Sequence, residues 1–202
     1  MTVFNSRSAD YPIDSMFLDR WSPRAFTAET IAEVDLLTMI EAGRWAASLF
    51  NSQPWRFLYA RRDTSSWDRF LSLLLPFNQD WAKEASALVV VVSKTTMPQW
   101  LGSNTATSHS HSFDAGAASG YFALQARKMG WYVHGMTGID IKRTIIELNV
   151  PRDHRVEAAY AIGRLGDKSQ LPGKLQAREH PSSRLPLSEL AFEGGFSVPP
   201  SG

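Results

Sequence analysis

Apolar and polar positions change their spacing several times along the chain, and each change marks an element. Ile31, Val34, Leu37, Ile40 and Trp45 recur at helical spacing and predict an amphipathic helix with that stripe against the core. Thr30 and Glu33 have the spacing of a capping box and place its start. After a loop of small and amide residues, Trp55-Arg-Phe-Leu-Tyr-Ala60 is apolar and aromatic and predicts a strand. Ser66 to Leu75 predicts a second amphipathic helix, with Trp67, Phe70, Leu71 and Leu74 on one side and Pro76 ending it. Ala87-Leu-Val-Val-Val-Val-Ser93 does not alternate, so it predicts a central strand covered on both faces.

Residues 94–112 are rich in Ser and Thr and carry Pro98 and Gly102, which predicts a long irregular loop, functional or disordered, of which 95–112 are expected to border a binding pocket. Asp114 then opens a helix to about Met129, with Gly130 as its left-handed stop. The first half, Ala115-Gly-Ala-Ala-Ser-Gly120, is small enough to admit another backbone or a flat ligand. Trp131 to Met136 predicts a strand, Asp140 caps a helix through Leu148, and Arg155 to Leu165 predicts a further strand. Pro, Ser, Gly and charge dominate beyond Gly166. The expected organisation is one domain over residues 1–202, with an irregular arm at 1–15 and an extended tail at 166–202 in which Leu185 to Leu190 can dock.

Composition narrows the classes. Hydrophobic residues make up 44% and charged residues 20%, ordinary for a water-soluble domain with a real core. A net charge of +1 gives no electrostatic reason to expect nucleic acid or an anionic membrane as partner. The absence of cysteine excludes disulfides, thiolate catalysis and cysteine metal sites. The first twenty residues mix Arg and Asp without an apolar run, which predicts neither a secretory signal nor a membrane span; the expected location is cytoplasmic.

Side chains able to do chemistry on their own are scarce. There is no nucleophile elbow, phosphate loop or metal cluster. His109-Ser-His111 followed by Asp114 has the spacing of two metal ligands, but no second ligand group lies near in sequence, and no metal is expected. His134, inside an aromatic strand, reads as a core or edge histidine rather than a general base. Asn51 and Gln53 taken alone read as loop-capping residues more readily than as ligand contacts. Arg20-Trp-Ser-Pro-Arg-Ala-Phe26 places two guanidinium forks and a hydroxyl on one short loop, donors suited to a phosphate or an electron-rich ring edge, or else a solvated basic loop anchored by Trp21 and Phe26.

Together, Arg20 to Phe26 and Ser48-Leu-Phe-Asn-Ser-Gln-Pro-Trp55 resemble two motifs of the FMN-dependent nitroreductase family. The resemblance continues through Asp114-Ala-Gly-Ala-Ala118, Met136-Thr-Gly-Ile-Asp140, Ala161-Ile-Gly163 and Arg184-Leu-Pro186, and so covers most of residues 16–190. It implies an α+β fold with a mixed, largely antiparallel sheet flanked by helices, and a homodimer with shared active sites. It implies FMN as cofactor, NADH or NADPH as reductant, and nitroaromatics, quinones or a similar electron-poor small molecule as acceptor. Other FMN chemistry on the same fold, reductive dehalogenation or ene reduction, stays open, as does a flavin-binding or sensing protein without efficient turnover.

By the same resemblance, Arg20, Ser22 and Arg184 match holders of the FMN phosphate and ribityl chain, with Trp21 between them. Arg24 matches the cation at the pyrimidine edge of the flavin. Met136, Thr137 and Gly138 match the turn beside flavin N5, where the backbone of Thr137 and Gly138 acts and no catalytic side chain is expected. Ala47, Ser48, Leu49, Asn51 and Gln53 match the loop that reaches the partner's flavin. Trp100, His109 and His111 are the expected acceptor-pocket residues. Two positions depart from the pattern of some relatives: Ser182 stands where they carry Lys, and Leu49 where they carry Ser.

Overall fold

The computed structural model describes residues 5–98 and 105–196. In chain order the elements are α1 (Ser15–Asp19), α2 (Glu33–Arg44), β1 (Trp55–Arg61), α3 (Trp67–Ser72), α4 (Pro76–Ala82), β2 (Ala87–Lys94), β3 (Thr96–Pro98) and β4 (Thr105–Thr107). They continue with α5 (His111–Lys128), β5 (Tyr132–Met136), α6 (Ile141–Glu147), β6 (His154–Gly163) and α7 (Gly173–Gln176). The central sheet runs β1-β2-β6-β5, and β3 pairs with β4 in a separate hairpin. The class is α+β, and every pairing among the described strands is antiparallel.

The unbroken apolar run of β2 is explained by its neighbours. Ala87, Val89 and Val91 enter a core formed with α2 and α5, whereas Leu88, Val90 and Val92 enter one formed with α3 and α4. Side chains on both faces are excluded from water, so alternation would leave a polar group buried. Each Val or Leu buried this way contributes roughly 1.5–3 kcal/mol. Because β6 separates β2 from β5, β5 is an edge of the sheet. That edge is where the site forms.

Several local expectations change. Helix α2 begins at Glu33 with Ala32 as a cap that makes no side-chain hydrogen bond, so Thr30 does not cap it. Glu33 instead accepts a 2.7 Å hydrogen bond from the Tyr59 hydroxyl on β1. The buried stripe of α2 is Leu36, Met39 and Gly43, while Val34, Leu37 and Trp45 are 68%, 44% and 71% exposed. Ile31 and Ile40 of the expected stripe do meet the core, but Val34, Leu37 and Trp45 form a second apolar stripe that faces out. Pro76 opens α4 at its first turn rather than ending the preceding helix, because the first N–H groups of a helix need no intrahelical acceptor. Helix α5 starts at His111, three residues ahead of Asp114, and ends at Gly130 with φ +79°. The stretch after Gly166 is not wholly extended: it holds α7 and two short 3₁₀ turns.

A single aromatic pins the arginine-bearing loop to the sheet. Phe26 is 1% exposed and bridges Leu165 just beyond β6. Thr27 N donates to Arg164 O at 3.1 Å and Gly166 N to Ala25 O at 2.9 Å. The Phe26 ring lies so close over Gly163 that a Cβ there would sit 2.5 Å from its Cδ1. Gly163→Ala should therefore force Phe26 from its seat and cost about 1–3 kcal/mol, as overpacking does. Urea unfolding followed by tryptophan fluorescence measures this; unchanged stability would show that the ring moves freely.

Candidate functional site

The loop from Arg20 to Phe26 runs beside edge strand β5, and its central peptide is gripped from both sides. His134 on β5 donates from Nδ1 to Pro23 O at 3.0 Å. A carbonyl can only accept, so Nδ1 carries the proton. Across the same peptide bond, Arg24 N donates to Glu179 Oε1 at 2.6 Å, and Ala25 N to the same oxygen at 2.8 Å. Glu179 comes from the segment just after α7, so two buried polar side chains from distant parts of the chain fix one loop peptide. An unpaired buried amide would cost roughly 1–3 kcal/mol, which gives the grip its energetic weight.

This arrangement aims the loop's side chains into a cavity of about 380 Å³. Arg20, Trp21, Ser22 and Arg24 of the loop line it, together with Arg7, Arg184, His134, Gly135, Arg178, His180 and Ser182. Among the described residues no carboxylate lines it. Burial, then the charge of Arg184, pushes the Arg20 guanidinium below its ordinary pKa; burial, then Arg184 and Arg20, does the same to Arg7. Burial also lowers Arg24, which Glu179 partly offsets. All three stay charged, since arginine starts far above neutrality. The cavity is thus a confined positive site suited to an anion, and its size lies within the roughly 300–1,000 Å³ of small-molecule sites.

The cavity collects Arg20, Trp21, Ser22, Arg24 and Arg184 from the expected set. Trp21 is 5% exposed and meets Tyr132 edge-on at 6.1 Å, so its bulk is structural. Arg7, Arg178, His180 and Gly135 had no signal in sequence, because no motif spacing links an irregular arm, a tail and a strand edge.

Met136, Thr137 and Gly138 leave β5 further along and do not line this cavity. The Gly138 carbonyl accepts from Leu75 N at 2.9 Å and from Asn78 Nδ2 at 3.0 Å. Asn78 and Phe77 occupy the space a Cβ on Gly138 would need, so the glycine makes room for α4. Among the described residues no carbonyl takes the N–H of Thr137 or Gly138.

The loop Ala47 to Gln53 lies apart, beyond α2. Its residues Ala47, Leu49, Asn51 and Gln53 are exposed and Ser48 is half-buried. Phe50, Asn51 and Gln53 take positive φ of 50°, 54° and 47°. Left-handed backbone costs most residues of order 1–3 kcal/mol and tends to gather at functional loops. The loop is held by Leu49 N to Asp114 Oδ2 at 3.2 Å and Gln53 N to Ser48 Oγ at 3.0 Å. Gln53 Nε2 also returns to Asn51 O, so Gln53 caps the loop as expected, Asn51 takes part through its backbone carbonyl, and Ser48 adds a cap of its own.

Of the expected acceptor-pocket residues, Trp100 lies outside the described residues and His109 is exposed. His111 is tied into a polar cluster. Its Nδ1 lies 2.7 Å from Ser93 Oγ, which donates its one proton to Glu157 Oε1 at 2.5 Å. Ser112 Oγ donates to the same carboxylate oxygen at 2.7 Å. This network closes the joint between β2, α5 and β6. Among the described residues no group of His and acidic side chains could hold a metal ion.

His134 is 8% exposed, and burial, then the charge of Arg24, lowers its pKa to about 4, with Arg178 adding to the effect. The unfolded chain binds this proton near pH 6.5 and the folded chain does not until about pH 4. Stability from the neutral imidazole is therefore complete above pH 6.5 and lost as pH falls towards 4, a change of about 3 kcal/mol. His134→Asn keeps a donor to Pro23 O but cannot titrate. Denaturation between pH 7 and 4 should show the wild type losing about 3 kcal/mol more than this variant; parallel curves would contradict the assignment.

Comparison with known proteins bears on the fold and the family. The Nitroreductase family model matches residues 18–75, the stretch holding the arginine loop and the 47–53 loop. A solved structure described as an oxidoreductase containing FMN is 48% identical, covers 98% of this chain and 99% of its own, and superposes with a TM-score of 0.92. A Rhodopseudomonas palustris (strain TIE-1) protein described as an NADH dehydrogenase/NAD(P)H nitroreductase is 23% identical over 150 residues, covering 67% of this chain and 76% of its own. An Exiguobacterium sibiricum nitroreductase solved in complex with FMN is 22% identical, spans 92% of this chain and 99% of its own, and shares the fold at a TM-score of 0.70. With its arginine loop, its sheet and a near full-length relative in agreement, the chain belongs to the nitroreductase family.

Proposed function

We propose that the protein is an FMN-dependent oxidoreductase that draws electrons from NADH or NADPH and reduces nitroaromatics, quinones or a similar electron-poor small molecule. The observation that carries this reading is the cavity beside β5, where several arginines converge and no carboxylate among the described residues lines the space. That donor set fits a terminal phosphate near −2 charge, which takes charge-assisted and partly bidentate bonds from guanidinium groups. Bound there, FMN supplies the hydride and electron transfer that no side chain of the site provides.

Each residue then has a limited task. Arg20, Ser22 and Arg184 hold the phosphate and ribityl chain. Arg24, fixed through its own N–H by Glu179, places positive charge near the pyrimidine edge, where reduction builds negative charge. The free N–H groups of Thr137 and Gly138 are preorganised donors towards the N5 edge.

Homodimerisation belongs to the same proposal. The packed pair α2 and α5 exposes Val34, Leu37 and Trp45 on one helix and Phe113 and Tyr121 on the other, with Phe113 80% exposed. Gly116 and Gly120 on α5 have open space where a Cβ would stand. Apolar surface beside small residues suits close contact with a second copy. It also gives the strained, exposed loop 47–53 a task, since there it would reach the partner's cofactor.

Two outcomes check the proposal. Arg20→Ala should weaken FMN binding by about 1.5–3 kcal/mol, the usual worth of a hydrogen bond to a charged group, as read by flavin fluorescence titration. An unchanged dissociation constant would place the phosphate elsewhere. Gly120→Arg, harmless to an isolated chain with open space at that position, should give a monomer in light scattering that has lost its yellow colour. A yellow dimer would refute the shared interface.

A further inference from the structure

We propose that Arg7, on the irregular N-terminal arm, is a third cation of the phosphate site, acting beside Arg20 and Arg184; this rests on the flavin reading above. Arg7 is distant in sequence from every motif of the site, yet its guanidinium is held firmly. Nε donates to Ser182 O at 2.7 Å, and Nη1 to Leu18 O at 2.9 Å and Arg20 O at 2.8 Å. These acceptors adjoin or belong to the segments bearing Arg184 and Arg20, so the bonds set the three cations around one space.

All three acceptors are neutral carbonyls. They orient the guanidinium without cancelling its charge, and among the described residues none takes a hydrogen bond from Nη2. Against like charges, in a half-buried setting, that arrangement costs energy unless an anion occupies the space. Burial lowers the Arg7 pKa most, and the charges of Arg184 and Arg20 lower it further, which records the same repulsion. A dianionic phosphate relieves it, whereas a neutral ligand would not. Ser182 brings no charge of its own, but its carbonyl brings Arg7 to that corner of the cavity.

The bland alternative is that Arg7 only ties the arm to the tail. The two roles differ in their response to a ligand without phosphate. Full-length protein stripped of cofactor is titrated with FMN and with riboflavin, which keeps the ring and ribityl chain but has no phosphate, for wild type, Arg7→Lys and Arg7→Gln. The expected result for Arg7→Gln is about tenfold weaker FMN binding, or about 1.4 kcal/mol, with riboflavin affinity within about twofold of wild type. Arg7→Lys, which keeps the charge but cannot make all three carbonyl bonds, should retain most of the FMN affinity. Equal loss of both flavins in Arg7→Gln, or no loss of FMN, overturns the assignment. Wild type that binds neither flavin overturns the flavin reading together with it, whereas wild type that prefers FMN while Arg7→Gln is unchanged overturns the role of Arg7 alone.

Discussion

The Pro23–Arg24 peptide, bonded by His134 on one side and Glu179 on the other, is the constraint from which the site follows. The loop carrying Arg20, Ser22 and Arg24 has no regular structure of its own. Its geometry comes from β5, which supplies His134, and from the segment after α7, which supplies Glu179. Both grips are buried, so water does not compete and each hydrogen bond keeps its directional force. Phe26 and the close approach at Gly163 then fix the loop's far end to β6.

With the loop held, the electrostatics are set by omission. Polar grips on the peptide consume the nearest carboxylate, Glu179, on backbone N–H groups rather than on the arginine side chains. The guanidinium groups share one cavity that no carboxylate among the described residues lines, and Glu179 offsets only Arg24 in part. A fold can sustain such a cluster because arginine is weakly hydrated and stays charged when half-buried. Its positive field is the site's readiness for an anionic ligand, present before any ligand arrives.

The 47–53 loop expresses a second constraint. Left-handed backbone at Phe50, Asn51 and Gln53 is flanked by bonds from Leu49 N to Asp114 and from Gln53 N to Ser48, which hold a shape the residues would not adopt alone. In the proposal, a second copy docking on the exposed faces of α2 and α5 gives this shape a task, and that links quaternary structure to the cofactor site.

The chain's local chemistry was legible by itself wherever spacing has one physical solution. The apolar run of β2, the Gly130 stop after α5 and the Asp140 cap on α6 each emerged where expected. The loop motifs around Arg20 and Asn51 also carried the family. What spacing left undecided was which of two apolar stripes on α2 turns inward, since Val34, Leu37 and Trp45 are as periodic as Leu36, Met39 and Gly43. Packing against α5 and β2 decided that, and left the first stripe exposed. Pro76 posed the same kind of ambiguity, because proline both ends one helix and suits the start of the next. Arg7, Arg178, Glu179 and His180 could not be found from sequence at all. Their roles arise where an arm, a tail and a sheet edge converge, and no local rule encodes the distance between segments that the folded chain alone brings together.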